Sequence, residues 1–236
     1  MQRHYWKEWS AHLERPMEAL AYGHGGAPVL VFPTSRGRFF QWEDFHMIEA
    51  LREPLERGWL QLFCVDGIDN ETWYNFELPI SQVLAQHERY ERYLLDEFLP
   101  LLRRHNHNPF LIATGTSFGA FQAANFAARH PGRVNRVVAM SGDFDVSKNL
   151  DDSYDPPAYF FNPIAYLAGV QPGPYLDQLR QVEFRLAVGA HDFCLPPTQR
   201  LASLLAHLQV PYRLDIWDAA YIHDWPTWRT MVNHLL

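Results

Sequence analysis

Leu111-Ile112-Ala113-Thr114 is a short apolar run of the kind that forms a buried strand, and Gly115-Thr116-Ser117-Phe118-Gly119 follows it with no intervening loop. From there Ala120, Phe121, Ala124, Ala127 and Ala128 recur at helical spacing until His130-Pro131-Gly132 ends the pattern. A buried strand that becomes a helix through one tight turn is half of a strand–helix–strand crossover. The feature therefore points to a layered α/β domain built on parallel strands. The turn forces its central residue into a strained backbone, and small residues two positions before and after let strand and helix approach. Gly115 and Gly119 meet that demand around Ser117.

The rest of the chain repeats the alternation. Strands are expected at His4 to Ser10, Met17 to Tyr22, Val29 to Phe32, Gln61 to Val65, Leu111 to Thr114, Val134 to Met140, Phe184 to Val188 and Tyr212 to Trp217. Helices are expected at Gln41 to Arg57, Ser81 to Arg104, Phe118 to Arg129, Pro197 to Leu208 and Trp225 to Leu235. The expectation is a mainly parallel sheet of about eight strands with helices on both faces. Gly23-His24-Gly25-Gly26 has the glycine content of a tight turn and predicts an antiparallel hairpin among the first strands. Between residues 144 and 179 the chain turns to Asp, Pro, Tyr and Asn, as in Asp151 to Pro157. This predicts an irregular excursion able to cover a site. With 236 residues, 47% of them hydrophobic, and no internal repeat, the chain suits one domain over residues 1–236.

Several function classes are disfavoured. The formal charge of −7 carries no long Lys/Arg block, against the surface that nucleic acid requires. Neither a signal-peptide core near Met1 nor a membrane-length apolar segment is visible, so a cytoplasmic protein that does not engage membranes is expected. Cys64 and Cys194 are too few for a disulfide framework and read as free thiols. His105-Asn106-His107 offers two imidazoles but no completing ligand, and reads as a surface loop; neither metal nor cofactor is expected.

The strand–turn–helix setting is that of a nucleophile elbow, which makes Ser117 the candidate nucleophile. Such a serine needs a base and an acid, supplied in the order Ser, Asp/Glu, His. Asp192 lies just beyond the strand Phe184 to Val188, and His223 follows Tyr212 to Trp217 through a short loop. Both positions are carboxyl ends of strands, where open α/β sheets build their sites. His191 is the other candidate base, and Asp143 and Asp145 are the other candidate acids; Asp66, Asp218 and Asp224 read as turn or capping residues. An oxyanion hole takes one backbone N–H from the residue after the nucleophile, Phe118, and a second from the loop after Val29 to Phe32. In that loop Ser35 is the first choice and Thr34 the second, while His24-Gly25-Gly26 precedes the strand and reads as a hairpin turn. Phe39, Phe40, Trp73, Tyr74, Phe118 and Trp225 either line a pocket or fill the core.

Across most of its length the chain resembles the putative esterase family of α/β-hydrolases, which includes esterase D-type enzymes, feruloyl esterases and mycolyltransferases. The resemblance rests on Val29 to Ser35, Thr72-Trp73-Tyr74-Asn75, Gly115 to Gly119 with its helix, His191 to Leu195, and His223 to Trp228. It implies an α/β-hydrolase fold, Ser117 as nucleophile, Asp192 as acid, His223 as base, and the Phe118 and Ser35 amides as the hole. The expected activity is cleavage of a small-molecule carboxylic ester through an acyl-enzyme. The alternatives are acyl transfer from the same intermediate, thioester or peptide hydrolysis, and a non-catalytic binding role. Exposed sheet edges offer a route to a homodimer.

Overall fold

The computed structural model describes residues 1–147 and 156–236. Eight strands form one sheet: β1 (Arg3–Ser10), β2 (Arg15–Tyr22), β3 (Ala27–Phe32), β4 (Leu60–Val65), β5 (Ile112–Thr116), β6 (Arg136–Met140), β7 (Glu183–Gly189) and β8 (Tyr212–Trp217). Their spatial order is β1-β2-β4-β3-β5-β6-β7-β8. β1 pairs antiparallel with β2 and β2 with β4; every later pairing is parallel. The expected α/β architecture with a mainly parallel sheet is the observed one.

Both faces of the sheet are covered, so its central strands are buried throughout and mostly apolar rather than alternating. β4, Leu60-Gln61-Leu62-Phe63-Cys64-Val65, is buried at all its positions. Along β3, Leu30 and Phe32 point into one core with α4 (Ile80–Tyr93), α5 (Leu99–His105) and α6 (Phe118–Arg129). α7 (Pro156–Tyr159), α8 (Pro163–Ala168), α9 (Pro174–Leu179) and α10 (Leu195–His207) add to that side. Val29 and Val31 point into the opposite core, against α1 (Gln41–Asp44), α2 (Met47–Ala50), α3 (Arg52–Glu56) and α11 (Trp225–Leu235).

Four expectations need correction. The hairpin is β1–β2, closed around residues 11–14; the Gly23 to Gly26 turn instead joins β2 to β3, which are separated by β4. Ala27 N–H donates to the Trp59 carbonyl at 2.9 Å, so this turn crosses the entry of β4. The helix expected over 41–57 is three short pieces, because His46 adopts φ +60° between α1 and α2 and Leu51 leaves helical geometry between α2 and α3. The helix expected over 81–104 contains a π-turn at Leu94–Phe98. Pro100, just beyond it, has no N–H for the carbonyl four residues earlier, and the wider turn accommodates that loss. The excursion at 144–179 is not simply irregular: it holds α7, α8 and α9. Pro163 and Pro174 each occupy a first helical turn, where an N–H is not needed. Within it, residues 148–155 lie outside the described residues, and most of the Asp151 to Pro157 stretch with them.

Candidate active site

Strand order sets the location. The chain leaves β3 toward β4 on one side and returns to β5 on the other, so the carboxyl ends of β3 and β5 diverge and open a crevice. Ser35 follows β3 and Ser117 follows β5, which brings the two to the same opening.

Ser117 has φ +54° and ψ −122°, a conformation costing a non-glycine residue about 1–3 kcal/mol. Its amide donates to the Met140 carbonyl at 2.9 Å, fixing the turn to β6. The flanking glycines are required by close approach. A Cβ on Gly115 would lie 2.3 Å from the Gly119 carbonyl carbon and oxygen, and one on Gly119 would lie 2.5 Å from the carbonyl oxygens of Phe32 and Pro33. The helix start is thereby pressed onto the end of β3.

His223 Nε2 lies 3.0 Å from Ser117 Oγ, and His223 Nδ1 lies 3.0 and 3.1 Å from the two Asp192 carboxylate oxygens. Asp192 is 5% exposed, and its Oδ1 accepts the Cys194 amide at 2.8 Å. Burial pushes its carboxyl up, but the bonds from His223 and the Cys194 amide outweigh this and hold it below the ordinary carboxylate range. Phe193 lies over the His223 ring at 4.3 Å between centroids, and Trp228 of α11 meets it edge-on at 5.0 Å. These two rings limit how His223 can turn, a role the sequence did not single out although one adjoins Asp192 and the other lies on the helix after His223.

The Phe118 amide is the first of α6 and, among the described residues, has no acceptor within the protein. The Ser35 amide likewise has none, and the Ser35 hydroxyl bonds that of Tyr74 at 2.6 Å. The Tyr74 ring meets Phe118 edge-on at 5.4 Å, linking the two amide-bearing segments. Thr34, the second-choice donor, is engaged elsewhere: its amide donates to Gln41 Oε1 at 2.8 Å.

The competing candidates do not enter the chain from Ser117 through His223 to Asp192. His191 is exposed, and Asp145 is tied to Asn162, Arg200 and the Ser147 amide. Asp143 is exposed. Asp66 binds Arg38 and the Phe39 amide, Asp218 accepts the Ala220 amide, and Asp224 caps α11 through the Trp225 amide. Phe39 and Trp73 belong to the cores and Phe40 is partly exposed, while Trp225 stacks on Phe45 at 4.3 Å. His105 packs on Trp6, and it forms no ligand group with His107 among the described residues. Asp192, Cys194 and His223 do place ligand atoms within 4.8 Å of one another. There both imidazole nitrogens are already engaged and burial pushes the Cys194 thiol up, away from the thiolate that metals bind. Both cysteines are free and buried. No helix among the described residues is long and apolar enough to cross a membrane.

A mainly parallel α/β sheet with a strained serine at a strand–helix turn defines the α/β-hydrolase class. The family model for putative esterases matches residues 65–235, and the chain belongs to that family. It is accordingly a carboxylic ester hydrolase. Among solved structures it is similar to a ferulic acid esterase, with TM-score 0.80 and 16% identity over 100% of this chain and 96% of that one. An S-formylglutathione hydrolase from Agrobacterium tumefaciens gives TM-score 0.74 and 16% identity over 98% and 92%. MPT51 (FbpC1) of Mycobacterium tuberculosis gives 0.73 and 14% over 99% and 96%. No curated protein matches the sequence significantly.

Proposed function

We infer that ester hydrolysis proceeds through a covalent acyl-enzyme on Ser117. The observation that carries this reading is the continuous chain from Ser117 Oγ through both His223 nitrogens to Asp192, at 3.0 Å for each link. With Nδ1–H donating to Asp192, Nε2 is left as an acceptor for the Ser117 hydroxyl proton. Ser117 Oγ attacks the ester carbonyl as His223 takes its proton, and the carbonyl oxygen becomes an oxyanion facing the Phe118 and Ser35 amides. Collapse breaks the bond to the alcohol, which leaves with the proton from His223. Water then repeats the sequence: His223 deprotonates it, the hydroxide adds to the acyl carbon, and Ser117 departs with the proton as the acid is released.

Asp192 holds the imidazole in the required tautomer and balances the imidazolium formed at each step. Its depressed pKa keeps it ionised across the neutral range. The test is turnover of short- and long-chain p-nitrophenyl esters by the parent protein and Ser117→Ala. The expected result is a loss of about 10⁶-fold in kcat, to near background. Equal turnover in the two proteins would remove Ser117 from the mechanism.

A further inference from the structure

The second hole donor sits in a tight turn, closed by the Gly37 amide on the Thr34 carbonyl at 2.9 Å. Arg36, next to Ser35, adopts φ +57°, a region that non-glycine residues avoid and that persists only where surrounding structure over-determines it. Gln41 holds the turn at Thr34, and the segment after β4 holds it at Arg36. The Asp69 carboxylate, 2% exposed, accepts the Arg36 amide through Oδ2 at 2.5 Å. The Asp69 carbonyl in turn accepts the amides of Thr72 at 3.2 Å and Tyr74 at 2.9 Å. Tyr74 then reaches back: its hydroxyl meets Ser35 Oγ, its ring packs on Phe118, and the Arg36 guanidinium lies 5.4 Å over that ring. One residue thus connects, through a side-chain bond and a backbone bond, to both sides of the amide pair.

We propose that Asp69 is a positioning residue for the oxyanion hole, its carboxylate holding the Arg36 amide so that the adjacent Ser35 amide stays aimed beside that of Phe118. The proposal rests on the acyl-enzyme reading, since a hole is needed only where an oxyanion forms. Asp69 touches no reacting atom; it acts through the peptide at Ser35–Arg36. A buried carboxylate is an expensive way to fix a loop unless the fixed geometry is used.

The experiment compares Asp69→Ala, Asp69→Asn and Tyr74→Phe in the full chain. It uses p-nitrophenyl acetate and normalises kcat to active sites titrated by a fluorophosphonate. Misplacing one donor is expected to lower kcat by about 10- to 100-fold in Asp69→Ala, with KM held within about twofold, because the oxyanion exists only beyond the ground state. Asp69→Asn retains an oxygen that accepts the Arg36 amide and is expected to stay within about threefold of the parent. If Asp69→Ala does not fold, Tyr74→Phe carries the test, with an expected kcat loss of about 5- to 10-fold and unchanged KM. Parental kcat in Asp69→Ala, or in Tyr74→Phe where Asp69→Ala does not fold, would overturn the proposal, as would an Asn variant as impaired as the Ala variant. A parent without Ser117-dependent turnover would instead overturn the acyl-enzyme reading, and the brace with it.

Discussion

The site has two halves on one sheet edge, each organised around a buried aspartate, and the two carboxylates are driven in opposite directions. On the β7–β8 side, burial raises Asp192, but the His223 ring and the Cys194 amide more than compensate and lower it. On the β3–β4 side, burial pushes Asp69 up to about 6, offset only in part by the Arg36 amide, while nearby Asp66 adds to the rise. Charge is what Asp192 would supply in the proposed mechanism, where its partner becomes an imidazolium. Acceptance of a hydrogen bond is what Asp69 supplies, because its partner is a neutral amide. Desolvation is common to both; the number and charge of the donors decides which way each moves.

Substitution with asparagine separates the halves most sharply. In Asp192→Asn the ring loses both its correct tautomer and its counter-charge, and kcat is expected to fall by about 10⁴-fold. Asp69→Asn is expected to remain nearly active. Steady-state kinetics on the same ester reads both, and similar losses would erase the distinction.

A change of intermediate size tests how tightly the relay half is built. A Cβ on Gly189, at the end of β7, would lie 1.8 Å from the carbonyl oxygen of Tyr221, two residues before His223. Gly189→Ala must therefore move the loop carrying His223. A loss of about 100-fold in kcat is expected, with a lower midpoint in thermal unfolding. Parental kcat would show that the loop absorbs the shift without displacing His223.

The smallest effect is on stability, and its sign differs between the halves. Asp192 is more acidic folded than unfolded, so its contribution is present above the ordinary aspartate value of about 3.9 and is lost as pH falls through its lowered value. Asp69 binds its proton more tightly when folded. Its ionisation therefore removes stability as pH rises from about 4 through about 6, by something on the order of 3 kcal/mol. Urea unfolding of the parent and Asp69→Asn between pH 4 and 7 should show the parent losing ground to the variant as pH rises. A pH-independent difference would contradict the raised value.

The same contrast explains what could be read from the chain. Ser117, Asp192 and His223 are legible because each follows a strand and the three keep a fixed order. Alternation of apolar runs located β8 at its observed bounds and α11 as well. Asp69 is invisible by that route: its bond to Arg36 joins a side chain to a backbone amide across 33 residues, and any loop aspartate has the same local appearance. Tyr74 stood out as one aromatic among several and within Thr72-Trp73-Tyr74-Asn75, with nothing to connect it to Ser35. Glycine content marked Gly23 to Gly26 as a turn, but whether a turn closes a hairpin or passes over a neighbouring strand depends on β4, which comes later in the chain. The breaks at His46 and Leu51 leave the apolar spacing of 41–57 nearly intact, so periodicity could not register them. The helices α7 to α9 are each under two turns and begin at prolines or beside them, in a composition that otherwise reads as loop.

The most direct measurement is to treat the protein with a fluorophosphonate and map the adduct by peptide mass spectrometry, with Ser117→Ala and Asp192→Asn alongside. An activated Ser117 predicts a single adduct on the peptide containing it, absent from Ser117→Ala and formed far more slowly in Asp192→Asn. An unmodified Ser117, together with undiminished ester turnover in Ser117→Ala, would contradict the account.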